Sequence, residues 1–121
     1  MASHISVVKV FNGASMTTSE VISETVDLSR FNCEGFFSMQ IEITGTGNVD
    51  LIWSASNDGV TFVTPSGTDD IFEAFGATSG PGSDGHSIAS FDPMLAKYLK
   101  FTATGQGAGA ITAINCFLAI Q

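Results

Sequence analysis

At 121 residues with a formal net charge of -8, the chain has the length of one domain and a surface that repels nucleic-acid phosphates and anionic membranes. Only 13% of its residues are charged, so Ser, Thr, Gly, Asn and Gln must make up most of its surface. That suits a β-sheet protein and speaks against a helical bundle, while ten Phe and one Trp supply the bulk for a core without staples.

In chain order, residues 5–11 (ISVVKVF) predict a first strand, which Asn12-Gly13 is expected to turn. The Ser/Thr-rich residues 14–24 hold one short candidate strand at Val21-Ile22, and residues 25–28 alternate as another. Residues 30–34 connect to the stretch that organises the chain, 35–63. There Phe37, Met39, Ile41 and Ile43 alternate with Ser38, Gln40, Glu42 and Thr44, the period of a half-buried strand. Gly45-Thr46-Gly47-Asn48 predicts a reversal. Val49, Leu51, Trp53 and Ala55 form the next inward set, and Ser56-Asn57-Asp58-Gly59 predicts a hairpin turn into a strand at residues 60–63. The expected core is Phe37, Met39, Ile41, Ile43, Leu51, Trp53, Phe62, Leu99 and Phe101.

Residues 64–68 are a loop, and Ile71, Phe72 and Phe75 predict a short strand or one helical turn. Residues 76–85 lack periodicity and read as an exposed loop. A short strand is predicted at 87–91, a turn at Asp92-Pro93, and one helical turn at Met94-Leu95-Ala96. Residues 98–104 alternate again, residues 105–109 turn, and 110–120 form the last strand. In that strand Ile114, Cys116, Leu118 and Ile120 share one face, and Ile111, Ala113, Phe117 and Ala119 the other. Two apolar faces place it at the centre of a sheet or in a subunit interface. The hairpin signals at 43–47 and 103–107 echo one another, which alternation and glycine alone can produce. The expected fold is a single all-β domain over residues 1–121, an antiparallel β-sandwich, jelly-roll-like, of about eight strands.

Candidate chemistry is sparse. His4 and His86 sit in no H-x-x-x-H or G-x-S-x-G setting. Asp69, Asp70 and Glu73 could pair carboxylates, but their Ser/Thr/Gly surroundings read as a solvated loop. Asn57-Asp58-Gly59 and Asp69-Asp70 offer oxygen ligands to calcium, without the D-x-D-x-D-G loop that supplies enough of them. Trp53 could stack a sugar, but its alternation with Val49 and Leu51 places it in the core. Lys97 and Lys100 flank Tyr98, too little for a nucleic-acid patch in so acidic a chain. Cys33 and Cys116 have no metal or redox spacing. Cys116, in an apolar run, reads as a buried free thiol, and a bond to Cys33 would need the first long strand to start beside the last. The expectation is no enzyme, no cofactor and no metal. The first residues carry no charged-then-apolar signal, and no apolar run reaches membrane-spanning length, so synthesis in a cytoplasm is expected.

The alternating strand, the Thr-Gly-Thr-Gly turn, residues 49–62 (VDLIWSASNDGVTF), Lys97-Tyr98-Leu99-Lys100-Phe101 and the Gly-rich hairpin into the last strand resemble small β-sandwich virion proteins of tailed bacteriophages, of the capsid decoration or cement kind. The resemblance covers residues 35–121. It implies a homo-oligomeric structural protein of the virion whose partner is the major capsid protein or another virion protein. The Ser-Asn-Asp-Gly and Tyr-Leu-Lys-Phe elements also resemble discoidin-type jelly-roll modules, which bind glycans or surfaces.

Two segments are expected to contact partners. One is Met1, Ala2, Ser3, His4 and Ile5, of which residues 1–4 have too little apolar content to anchor themselves. Gly76, Ala77, Thr78, Ser79, Gly80, Pro81, Gly82, Ser83, Asp84 and Gly85 have no evident packing of their own, so a partner surface could offset their ordering cost. Against this, loops on sandwiches are usually only loops.

Overall fold

The computed structural model describes residues 5–16, 20–31, 34–106 and 109–121. Among these the strands are β1 (Ser6–Met16), β2 (Glu20–Ile22), β3 (Val26–Asp27), β4 (Phe37–Gly45), β5 (Asn48–Ser56), β6 (Phe72–Gly76), β7 (His86–Phe91), β8 (Tyr98–Gln106) and β9 (Ile111–Ile120), with one 3-10 turn at Leu28–Arg30. No helix among the described residues is long and apolar enough to cross a membrane.

One sheet has the order β1-β9-β4-β7 and the other β2-β8-β5-β6, with β3 also on β8. β2 and β3 thus act as one interrupted strand, which reconciles nine segments with the expected eight. First pairs with last, second with second-last, and so inward: β1 with β9, β2 and β3 with β8, β4 with β7. The innermost pair is β5 with β6. All are antiparallel, so the chain is one long hairpin wrapped into two sheets. That is the jelly-roll form of the β-sandwich.

The core lies between the sheets. Met39, Ile41, Val49, Leu51, Leu99, Phe101, Ala103, Ile114, Cys116, Leu118 and Ile120 are fully buried, and Phe37, Ile43 and Trp53 nearly so. Eight of the nine expected core residues are therefore inside. Phe62 is only half-buried, because the backbone leaves the sheet before it and Lys100 sits over its ring at 4.4 Å. β9 is central, as its two apolar faces predict. Cys116 is free and buried, and desolvation pushes its thiol up to about 12. Cys33 lies outside the described residues.

Departures from simple alternation have local causes. Asn12-Gly13 does not turn the chain. β1 runs through it as a bulge, where Gly13 donates its N–H to the Asn115 Oδ1 at 2.9 Å. β9 carries one extra residue between Ile111 and Ala113, opposite Thr44-Gly45. The parity of the strand changes there, so Ile111 is buried rather than outward with Ala113, Phe117 and Ala119. A bulge in β6 lets both Phe72 and Phe75 point inward, with ring centroids 5.2 Å apart. The two similar Gly-rich turns meet backbone to backbone at one end of the sandwich. A Cβ on Gly47 would lie 2.8 Å from the Gly109 carbonyl oxygen, so that contact demands glycine.

Candidate functional site

The strand expected at residues 60–63 does not form, and the reason is the Asp58 carboxylate. It accepts from the Ser56 hydroxyl at 2.8 Å and from the Val60 and Thr61 N–H groups at 2.9 Å each. Those two N–H groups are taken from any ladder, so the chain bends outward. It returns at one bridge, where Val63 exchanges hydrogen bonds of 2.9 and 3.0 Å with Ala55. Gly59 donates to the Ser56 hydroxyl at 3.0 Å. The result is a turn tied by its own side chains, with Val60 at its tip, 83% exposed.

The loop between β7 and β8 is fastened beside it. Lys97 donates its N–H to the Asn57 Oδ1 at 3.0 Å, and its carbonyl accepts from Leu28 at 2.8 Å. Pro93, Met94, Leu95 and Ala96 form no helical turn here. Pinned at Lys97, the loop leaves Leu95 98% exposed and Met94 54% exposed. Val63 of the neighbouring turn lies with them along one hollow, while Val60 stands exposed at the tip of that turn. The hollow, of about 300 Å3, lies between the two loops, lined by Ala55, Thr61, Val63, Met94 and Leu95 among others. These exposed hydrophobic side chains on two neighbouring loops are a candidate contact surface.

The hydrogen bonds to Asp58 have a measurable signature. They stabilise the charged carboxylate and lower its pKa from 3.8 to about 2, the Val60 and Thr61 N–H groups contributing most. A depressed folded-state pKa gives stability that is present above 3.8 and is lost as pH falls toward 2. The unfolding midpoint should therefore drop over that window in the parent. In Asp58→Asn, chemical denaturation at a series of pH values should show a shallower drop there.

The segments singled out in the sequence fare differently. Met1, Ala2, Ser3 and His4 lie outside the described residues. Ile5 is 65% exposed and lines a shallow depression with Phe36 and Gln121 at one end of the β1-β9-β4-β7 sheet. The loop 76–85 turns out to have packing of its own. Gly76 donates to the Ser79 hydroxyl at 3.0 Å, Ser79 back to the Gly76 carbonyl at 3.0 Å, and Gly85 to the Ser79 carbonyl at 2.9 Å. The Gly85 carbonyl accepts from Ile43 at 2.9 Å, which locks the loop to β4. A partner is not needed to order it.

The other candidates find structural places. Trp53 is 5% exposed and offers no face to a sugar. Asp69, Asp70 and Glu73 gather near Asp50, and burial together with the charge of these neighbours raises the Asp70 pKa. Asp50 itself accepts from the Ala74 N–H at 2.7 Å and the Gln106 amide at 2.6 Å. His86 lies 3.9 Å from Asp84, and both are exposed. Sequence reasoning missed these exposed apolar loops. Its signal was the run Pro93-Met94-Leu95-Ala96, apolar residues in a turn with no alternating partner strand.

The fold class that these elements define is a jelly-roll β-sandwich with exposed hydrophobic side chains on two neighbouring loops. Comparison with protein-family models and with curated proteins gives no match. Among solved structures, a chain from the structure of infectious bursal disease virus Gx strain is similar at 9% identity and a TM-score of 0.41. That similarity covers 99% of this chain and 32% of the other, so this chain spans about a third of its length.

Proposed function

We propose that this chain is a non-enzymatic structural protein of a virus particle, a bacteriophage capsid decoration protein that binds the capsid lattice and stabilises it. On this reading it is made in the host cytoplasm and works in the virion. The observation that carries the reading is the set of exposed hydrophobic side chains Val60, Val63, Met94 and Leu95 on two loops joined by the Lys97–Asn57 hydrogen bond. A lattice-binding protein needs a stable scaffold and a preformed complementary surface, with little left to order on binding. Asp58 and Lys97 fix both loops before any partner arrives. Burying Leu95 against a partner would contribute about 1.5–3 kcal/mol, and Val60 a similar amount. Repetition over a lattice multiplies such modest contacts through avidity.

Purified particles should contain this chain at a copy number related to that of the major capsid protein. Leu95→Glu should abolish particle binding while the melting temperature stays where it was, since the side chain touches no core. Full particle binding by Leu95→Glu, or absence of the chain from purified particles, would overturn the reading.

A further inference from the structure

An asparagine side chain can react with the backbone nitrogen that follows it, provided the next residue leaves room for a ring to close. The chain has five asparagines. Asn32, Asn48, Asn57 and Asn115 precede Cys33, Val49, Asp58 and Cys116, whose side chains crowd the following nitrogen. Asn12 alone precedes glycine. Asn12 and Gly13 are both exposed, and nothing lies within 4 Å of where a Gly13 Cβ would stand, so a ring has space to form.

Gly13 is also the extra residue of the bulge in β1. Asn12 faces Asn115 and Ala14 faces Ile114, which leaves Gly13 without a partner in the ladder. Its N–H goes instead to the Asn115 Oδ1 at 2.9 Å, an exposed bond to a side chain. Two Asp-Gly steps could close the same ring, but both are better guarded. The Asp58 carboxylate accepts three hydrogen bonds, and Gly59 donates to the Ser56 hydroxyl. Gly85, after Asp84, is buried and donates to the Ser79 carbonyl.

We propose that Asn12 is a site of spontaneous deamidation and that the Asn115 side chain gates it. The Gly13 nitrogen gives up its proton and attacks the Asn12 Cγ. The new N–C bond closes a succinimide, and the side-chain nitrogen leaves as ammonia with the proton that Gly13 lost. Water then opens the ring, at Cγ to give aspartate or at the main-chain carbonyl carbon to give isoaspartate. No reactant besides water is needed. While Gly13 donates to Asn115 its nitrogen keeps its proton, so the reaction waits for local opening of that bond. Either product adds a negative charge to a chain already at -8. Isoaspartate also adds a carbon to the backbone of β1, whose register against β9 is set on both sides of the bulge, so one flank of the strand must shift.

Trypsin makes the site easy to read. Cleavage after Lys9 and Arg30 releases residues 10–30, in which Asn12 is the one amide side chain. The full chain is incubated native, at a series of mildly alkaline pH values, and in urea. That peptide is then weighed by mass spectrometry and probed with an isoaspartyl methyltransferase. The native parent should gain the mass of an amide-to-acid exchange in this peptide, faster as pH rises and more slowly than in urea. Asn115→Ala should speed the native reaction by up to about tenfold, the scale of one hydrogen bond lost. Asn115→Asp keeps an oxygen acceptor and should stay near the parent rate. Ile114→Val loosens the packing of β9 without touching the bond, and it should also stay near the parent, which separates loss of the gate from loss of stability. In urea all four chains should react alike. Absence of the mass gain from the native parent overturns the site. A native rate equal to that in urea, an Asn115→Ala rate equal to the parent's, or an Ile114→Val rate as high as that of Asn115→Ala overturns the gate.

Discussion

Trp53→Ala is expected to destabilise the protein by about 3–5 kcal/mol, the cost of emptying a large buried aromatic site that the surroundings cannot refill. Trp53 sits in β5, a central strand, with β8 on one side and Phe101 directly opposite in register. Phe101 is fully buried and meets Phe91 edge-on at 5.9 Å, so removing the indole leaves the aromatic centre of the core without one wall. Neighbouring strands are fixed by their ladders and cannot collapse into the space. Urea unfolding should show a lower midpoint with a similar slope, and the thermal midpoint should fall by on the order of 10 °C or more. A loss under about 1 kcal/mol would mean that the sheets close over the gap, contrary to the close packing of ordinary cores.

Gly85→Ala is expected to be strongly destabilising. Gly85 has a φ of +80° and is buried, and an added Cβ would lie 2.6 Å from the Ile43 carbonyl oxygen and 3.1 Å from the Ala77 Cα. The left-handed backbone alone costs an L-residue about 1–2 kcal/mol. Displacing backbone on both sides adds about 1–3 kcal/mol of overpacking. The strain would also pull on the hydrogen bond from Ile43 to the Gly85 carbonyl, which fastens the loop to β4. Denaturant titration should give a combined loss of about 2–5 kcal/mol. Hydrogen exchange should be faster at the Ile43 amide than in the parent. Gly67→Ala is the control: its φ is also positive, at +80°, but nothing lies within 4 Å of the added carbon.

Strands that alternate cleanly were legible from sequence. The inward sets of β4, β5 and β8 came from period-2 patterning alone, because one sheet face is buried and a one-residue slip would expose it. What could not be read was set by partners distant in the chain. Asn12-Gly13 looks like a turn until the Asn115 side chain is seen to hold it in a bulge. Ile111 looks outward until the extra residue before Ala113 is placed against Thr44 and Gly45. Val60 and Thr61 look like strand residues, and only the Asp58 carboxylate beside them decides otherwise. The exposed apolar loops were missed for a related reason. Composition draws attention to Gly and Ser, while the informative residues are hydrophobic ones whose exposure depends on what fails to cover them.

The pairing of β1 with β9 sets the order of events during synthesis. β9 lies between β1 and β4 and supplies a ladder to each. Until the ribosome has released it, β1 and β4 face one another across an empty lane with unpaired edges. High contact order of this kind makes folding slow, in the millisecond-to-second range, and leaves the nascent chain with sticky edges for that time. Loss of β9 would therefore remove the middle of a sheet rather than trim its margin, and a nascent chain stalled before Ile111 should be captured by chaperones instead of folding in part.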